Sequence, residues 1–527
     1  MEVQVREYNL HIKEMLTHGL RSSDRTGRGS PFLTECKFVK SMEEGLRSGL
    51  DITRPFASAK YNTFPFPQLL RGKAITLLAN ESSIEEVDES GSSWSTSDIN
   101  TYDAYNETTR RDIEAGGVWH MVDFFDTWFL LNGECVVYKT HHIGMVAGES
   151  DRVFVLDEVE INTGCASRGR VLFGGFNPEA YWTDAWKTIW DGYAAAFNFN
   201  IDNDMPIGKN FVMWSTIGGG DVLNLFHADK ATDGLISSDT SRSTADALFM
   251  DYYKRNEAGL LPLPWQGTVQ VLKPLGKGVM AYSESGSGLF MPVMEPIPTY
   301  SFQKILDIGV PDRGAVGGDE NIHIFIDTGG KLWTISTDYA PKLLDYSEFL
   351  IPLLGQPIVI SYGSQMNTFY ISGKDEDNNN YTYTLTKNGL SRTPQHITST
   401  CFADGALLGV FKTPISTEVV VVTDILDFDI RDLKLITTVE LGIEVEEGAE
   451  VYVAVDYKYA KDLGFTRSDW VPVNREGFAR VQKAGIEFRL CIKCSTYIDL
   501  KIDYANVKWQ LIGKRTIRGA YGTETRV

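Results

Sequence analysis

The sequence is poor in the residues that build metal centres and covalent frameworks. Six cysteines (Cys36, Cys135, Cys165, Cys401, Cys491 and Cys494) in 527 residues are too few for a disulfide scaffold and fit folding in a reducing cytoplasm. No run approaches ~18 consecutive apolar residues, so no spanning helix is expected. Met1-Glu2-Val3-Gln4-Val5-Arg6-Glu7 lacks the apolar core of a secretory signal. A phosphate-binding Gly-x-x-x-x-Gly-Lys-Ser/Thr, a His-Glu-x-x-His and a Gly-x-Ser-x-Gly are all missing. So is any cationic excess. With 70 acidic against 50 basic side chains the net charge is −20, which repels free nucleic acid and argues against a general DNA or RNA binder. Residues 1–80 hold 12 Lys/Arg against 8 Asp/Glu, so the acidic excess lies wholly beyond them. Such a balance aids solubility; it also makes a wall along which DNA slides without sticking.

What is present is material for a large core. Hydrophobic residues make up 43% of the chain and aromatics 12%, which excludes disorder and suggests two to three domains. Strand signals dominate. Ile322 to Asp327, the Thr328-Gly329-Gly330 turn and Lys331 to Ile335 form one hairpin pattern. Similar units surround Asn132-Gly133, Gly218-Gly219-Gly220, Gly286 and the polar loop Asp375 to Asn380. Turns near residues 286, 329 and 377 recur at about 43 and 48 residues, close to the ~40–50 residue period of a propeller blade.

Other stretches break the pattern. Residues 81–116 carry ten acidic and two basic side chains and read as a long exposed loop. Trp182, Trp186, Trp190, Tyr193 and Phe197 mark one face of a helix over 178–200, and 245–256 is a second helix candidate. From about residue 417 strict alternation takes over. Leu433, Leu435, Val439, Leu441, Ile443 and Val445 share one face, and Val451 to Tyr459 follow after the Glu447-Gly448 turn. Strands over 486–492, 498–504 and 507–511 complete an antiparallel sandwich. The expected fold is all-β: an N-terminal arm over 1–60, a β-propeller over 61–416 with its acidic loop at 81–116, and a C-terminal antiparallel β-sandwich over 417–527.

Chemistry is harder to find. Cys491-Ile492-Lys493-Cys494 has redox or half-zinc spacing, but strand parity sends the two thiols to opposite faces, and no second pair completes a metal set. His141-His142 lacks carboxylate partners, and His11, His18, His120, His227, His323 and His396 stand singly. Asp202-Asn203-Asp204, Asp375-Glu376-Asp377 and Asp424/Asp427/Asp429 offer oxygens without the calcium-loop spacing. Asp327-x-Gly329-x-x-x-Trp333 resembles the Asp-box turn of sialidase propellers, a folding element, with its tryptophan one residue late. No catalytic, cofactor-binding or metal-binding residue is assigned.

Five segments carry a resemblance. They are Gly45-Leu46-Arg47 with Asp51-Ile52-Thr53-Arg54-Pro55-Phe56; Trp119-His120-Met121-Val122-Asp123 with Trp128-Phe129-Leu130-Leu131-Asn132-Gly133; Asp327-Thr328-Gly329-Gly330-Lys331-Leu332-Trp333 with Asp345-Tyr346-Ser347-Glu348-Phe349; Gly389-Leu390-Ser391-Arg392; and Lys508-Trp509-Gln510-Leu511-Ile512-Gly513-Lys514-Arg515. In this order the chain resembles the β-propeller tail proteins of tailed bacteriophages, the nozzle and the tail-hub or packaged-DNA stabilisation proteins. That family has no catalytic residues, so none is carried over. The resemblance implies a virion protein assembled in the bacterial cytoplasm, with no membrane insertion. It implies a homohexameric ring touching portal-adaptor or other tail proteins, and a channel that retains and conducts double-stranded DNA without sequence-specific contact. The ring would carry six times the chain's −20, much of it facing the lumen. The competing expectation is a propeller that binds or cleaves glycans, with tryptophans as sugar platforms; Trp128, Trp214 and Trp333 read as core instead.

Overall fold

The computed structural model describes residues 7–513 except 21–28, 49–53, 57–67, 89–94, 140–152, 178–207, 218–258, 412–417 and a few shorter gaps. The chain forms two compact units. One comprises residues 52–380 and 397–412, the other residues 1–51, 381–396 and 413–527.

The first unit is a β-propeller. Blade 4 shows its grammar: Val269–Leu275, Gly278–Ser283, Ser287–Val293 and Thr299–Leu306 pair antiparallel in chain order. Its strands are rich in β-branched and aromatic residues, and Gly276 at φ +56° makes the first turn, a conformation glycine adopts without strain. Blade 5 repeats the meander with Val316–Gly318, Ile322–Ile326, Leu332–Ser336 and Lys342–Asp345. Blade 1 is Gln68–Arg71, Thr76–Ala79, Ile84–Asp88 and Ser95–Asp98. Blade 2 runs from His120–Phe124 through Thr127–Leu131 and Val136–Lys139 to Val153–Leu156, with Thr101–Asp103 laid parallel on its outer edge. Blade 3 is Ile161–Ser167, Arg170–Phe176, Phe211–Trp214 and Gly259–Pro262.

Val359–Gly363 and Thr368–Lys374 open blade 6, and Ile397–Ala403 and Ala406–Phe411 open blade 7. The third strand of blade 7 is Arg54–Phe56, which pairs parallel with Leu408, Gly409 and Val410. The beginning of the unit therefore closes its end and covers an exposed strand edge.

Hydrogen bonds link every pair of adjacent blades. The Trp119 amide donates to Gln68 Oε1 at 2.7 Å, joining blades 2 and 1. His120 Nδ1 meets Thr163 Oγ1 at 2.9 Å, and the Leu272 amide donates to the same hydroxyl at 2.8 Å, joining blades 2, 3 and 4. His323 Nε2 reaches Pro274 O at 3.0 Å, and the Ile360 amide donates to Gly314 O at 2.9 Å, which adds blades 5 and 6. Ser372 Oγ donates to Ile397 O, and Ser399 Oγ to Leu69 O at 3.0 Å. The ring of seven blades is complete.

The acidic stretch 81–116 is not one exposed loop. Its described part supplies two strands of blade 1 and the parallel edge strand of blade 2, with Ile84, Val87 and Ile113 buried. Ile84, Val87 and Ile113 bring enough apolar surface to the core to order the segment; Glu85 is buried with them, while Glu86, Asp88, Asp98, Asp112 and Glu114 are exposed. The helix candidates at 178–200 and 245–256, His141-His142, Asp202-Asn203-Asp204 and the Gly218 to Leu223 turn lie outside the described residues.

The second unit is a sandwich of two sheets. The first sheet orders Val39–Met42, Gly45–Ser48, Lys501–Gly513, Leu433–Glu444 and Phe478–Gly485, with Glu7–Ile12 also paired to Lys501–Gly513. The second includes Gly389–Arg392, Leu33–Lys37, Val419–Thr423, Glu487–Cys494 and Val451–Lys458. Phe428 joins the layers edge-on, 5.9 Å from Phe488 and 5.4 Å from Trp509.

The expected arm over 1–60 is thus redistributed. Its described strands up to Ser48 belong to the sandwich and Arg54–Phe56 to blade 7, because paired backbone is cheaper to bury than an open strand edge. The strict alternation after 433 is corrected as well. Lys434 and Ile436 are buried, then Val439 and Leu441, because a bulge between Ile436 and Thr438 switches the inward face. Lys434 is accommodated by donating to Ile430 O and Asp432 O at 2.7 and 2.9 Å.

Candidate functional site: the central cavity of the propeller

The first strands of all seven blades face a cavity of about 330 Å³. Three cations, Arg71, Lys273 and Arg313, contribute to its wall together with His120, and no carboxylate does among the described residues. That is a local inversion of the chain's acidic character.

Arg313 stands just before the first strand of blade 5 and is 8% exposed. Its Nη2 donates to Leu131 O at 2.7 Å, while Nε and Nη1 are buried without a partner. Burial brings the guanidinium down to about 9. The Asn132-Gly133 turn makes room for it: Gly133 sits at φ +94°, and a Cβ there would come within 2.5 Å of Nη1. The adjacent Asp312 carboxylate accepts the Gly314 and Ile358 amides at 2.8 and 3.0 Å, and burial pushes it up to about 6.

Lys273 projects from blade 4 and makes no ion pair among the described residues; burial lowers its ammonium. His120 is tied at both ring nitrogens, Nδ1 to Thr163 and Nε2 to Arg313 O at 3.1 Å. Burial, then the Arg313 charge, hold it well below the ordinary imidazole range. Cys165 is pushed up to about 12 by burial, so its thiol is no nucleophile at neutral pH. Ser361 Oγ and Thr400 Oγ1 are buried without partners. The wall therefore presents hydrogen-bond donors and fixed positive charge rather than an acid–base pair.

The groups weighed from sequence resolve as follows. Cys491 packs against Val422 and Ala454 with Trp470 alongside, and both Cys491 and Cys494 are fully buried free thiols. His323 is buried, with Nδ1 at 2.9 Å from Tyr282 Oη and Nε2 on Pro274 O; burial lowers it to about 3. Asp327 staples the blade 5 turn. Its Oδ1 accepts the Gly329 and Lys331 amides at 2.8 and 2.9 Å, and Oδ2 accepts the Trp333 indole N–H at 2.8 Å. No three His, Cys, Asp or Glu side chains converge among the described residues. Sequence reasoning missed Lys273 and Arg313. The available signal was a lysine inside the otherwise uncharged run Val269 to Leu275.

No known family profile matches the chain, and no curated protein matches it. Similar solved structures include a quinoprotein alcohol dehydrogenase-like protein from Bacteroides thetaiotaomicron, at 10% identity over 62% of this chain and 65% of that one, TM-score 0.32. PorZ, an essential surface component of the type-IX secretion system of Porphyromonas gingivalis, matches at 7% identity over 67% and 35%, TM-score 0.31. Kluyveromyces lactis Hsv2 matches at 9% identity over 67% and 90%, TM-score 0.26. The chain spans less than two thirds of the first two proteins. Likenesses of this strength carry no argument about activity.

Proposed function

We propose that this protein is a structural subunit of a bacteriophage tail, a nozzle or hub ring that retains packaged DNA and conducts it during ejection. The observation that supports this reading best is how the chain is threaded. It passes between the two units four times, at residues 51–52, 380–381, 396–397 and 412–413, and each unit is closed by strands from opposite ends of its own sequence. Multiple connections and closed edges suit a subunit that bears load in a particle. The propeller's own cavity, about 330 Å³, has the size of a small-molecule pocket and is far too small for a duplex, so the DNA path runs between subunits of a ring. There the net charge of −20 per chain keeps phosphates solvated and sliding.

Trp119, Trp128, Trp214 and Trp509 are buried and present no ring face to a sugar, which removes the observation that a glycan-binding reading would need from them. Mass spectrometry of purified phage particles tests the proposal: the chain is expected at a fixed stoichiometry relative to the portal. Its absence from particles, or turnover of a glycan by the purified protein, would overturn it.

A further inference from the structure

We infer that the central cavity of the propeller is a binding site for a small multivalent oxyanion, the class of di- and tricarboxylates and phosphate esters. This goes beyond ring assembly and does not rest on it. Arg313 is more than nine-tenths buried, with two guanidinium nitrogens aimed at no acceptor. Buried donors left unpaired are rare and destabilising unless something else satisfies them. Lys273 brings a second charge to the same wall without an ion-pair partner among the described residues, and Arg71 a third. The carboxylates that act on two of these charges, Asp319 on Lys273 and Glu134 and Asp312 on Arg313, stand back from the wall and leave the desolvation of both cations the larger effect. Asp312 is outside the wall and already accepts two amides, and neither Glu134 nor Asp319 lines the cavity.

Size narrows the class. A water occupies ~30 Å³ of liquid, so about 330 Å³ would hold a chloride only with several waters around it. A ligand of several heavy atoms fills it, at the lower end of the ~300–1,000 Å³ range of small-molecule pockets. The hydroxyls of Ser361 and Thr400, buried and unpartnered on blades 6 and 7, supply neutral donors to the same ligand. Donors from blades 4 to 7 thus surround one volume, an arrangement suited to an anion with more than one acceptor group.

Calorimetric titration of the full-length protein with citrate and with inorganic phosphate, at constant ionic strength in sodium chloride, tests this. One anion per chain is expected, and whichever probe binds tighter assigns carboxylate or phosphate chemistry. Lys273→Met should weaken binding about tenfold or more while its melting temperature in chloride stays equal or rises, because one of three like charges on the wall has gone. The Ser361→Ala/Thr400→Ala double variant removes no charge and keeps the fold; it should weaken binding several-fold. Binding of neither anion at one per chain, or unchanged binding in both variants, would overturn the site.

Discussion

The two units are built from the same element by opposite routes. In the propeller, blade 4 pairs all four strands between residues 269 and 306, and hairpin follows hairpin. In the sandwich, Glu7 pairs with Gln510 and Leu33 with Thr423. Local pairing closes small loops and forms early, while pairing across the whole chain must wait for its entropy cost to be met by other contacts. The comparison teaches that the propeller organises the chain and the sandwich locks it, because both segments that flank the propeller meet in the sandwich.

Substitutions in the two cores sharpen that contrast most strongly. Trp509 stacks on Tyr8 at 4.6 Å and is 5% exposed, so Trp509→Ala should cost about 3–5 kcal/mol. Its signature in hydrogen exchange should be faster exchange in Glu7–Ile12, at the far end of the chain. Phe325→Ala in blade 5 should cost a similar amount but loosen blade 5 and its neighbours alone. Equal spread from both sites would erase the distinction between units.

A smaller effect is expected at the blade 5 turn. Asp327→Ala removes three hydrogen bonds and should cost about 2 kcal/mol, with the Trp333 environment changing in near-ultraviolet circular dichroism. An unaltered tryptophan signal would contradict the staple.

Acid unfolding gives a third, graded test. His323 is held near 3 against an ordinary 6.5, so the unfolded chain takes up a proton that the folded one refuses. Stability should fall as pH drops through about 6, by up to ~1.4 kcal/mol per pH unit from this group. Asp312, raised to about 6 from 3.8, acts with the opposite sign over 6 to 4. His323→Gln should therefore show a shallower acid slope than the parent chain. The smallest effect concerns the thiols. With Cys491 held near 12 and Cys494 also raised by burial, a thiol reagent should label neither before unfolding. Rapid labelling of Cys491 would show the sheet face under Trp470 to be open.

Legibility followed the same divide. The blade 4 and blade 5 hairpins were readable because Gly286 and Gly329-Gly330 punctuate alternating runs at a constant spacing. Blade 1 was obscured, since the charges around Ile84 and Val87 outweigh the two apolar side chains that anchor the strand. The bulge near Thr437 left no local mark, as a one-residue insertion changes parity without changing composition. The N-terminal strands were invisible for a physical reason: their partners lie hundreds of residues away. The cavity left one local mark, Lys273 inside the otherwise uncharged run Val269 to Leu275. Arg313 resembles an ordinary surface cation until seven first strands meet around it.

The most direct test of the proposed function is image reconstruction of the assembled tail. Density for this chain should form a closed ring of subunits, with the DNA path between propellers and carboxylates outnumbering lysine and arginine along the lumen. A monomeric copy in the mature particle, or a lumen lined mainly by lysine and arginine, would contradict it.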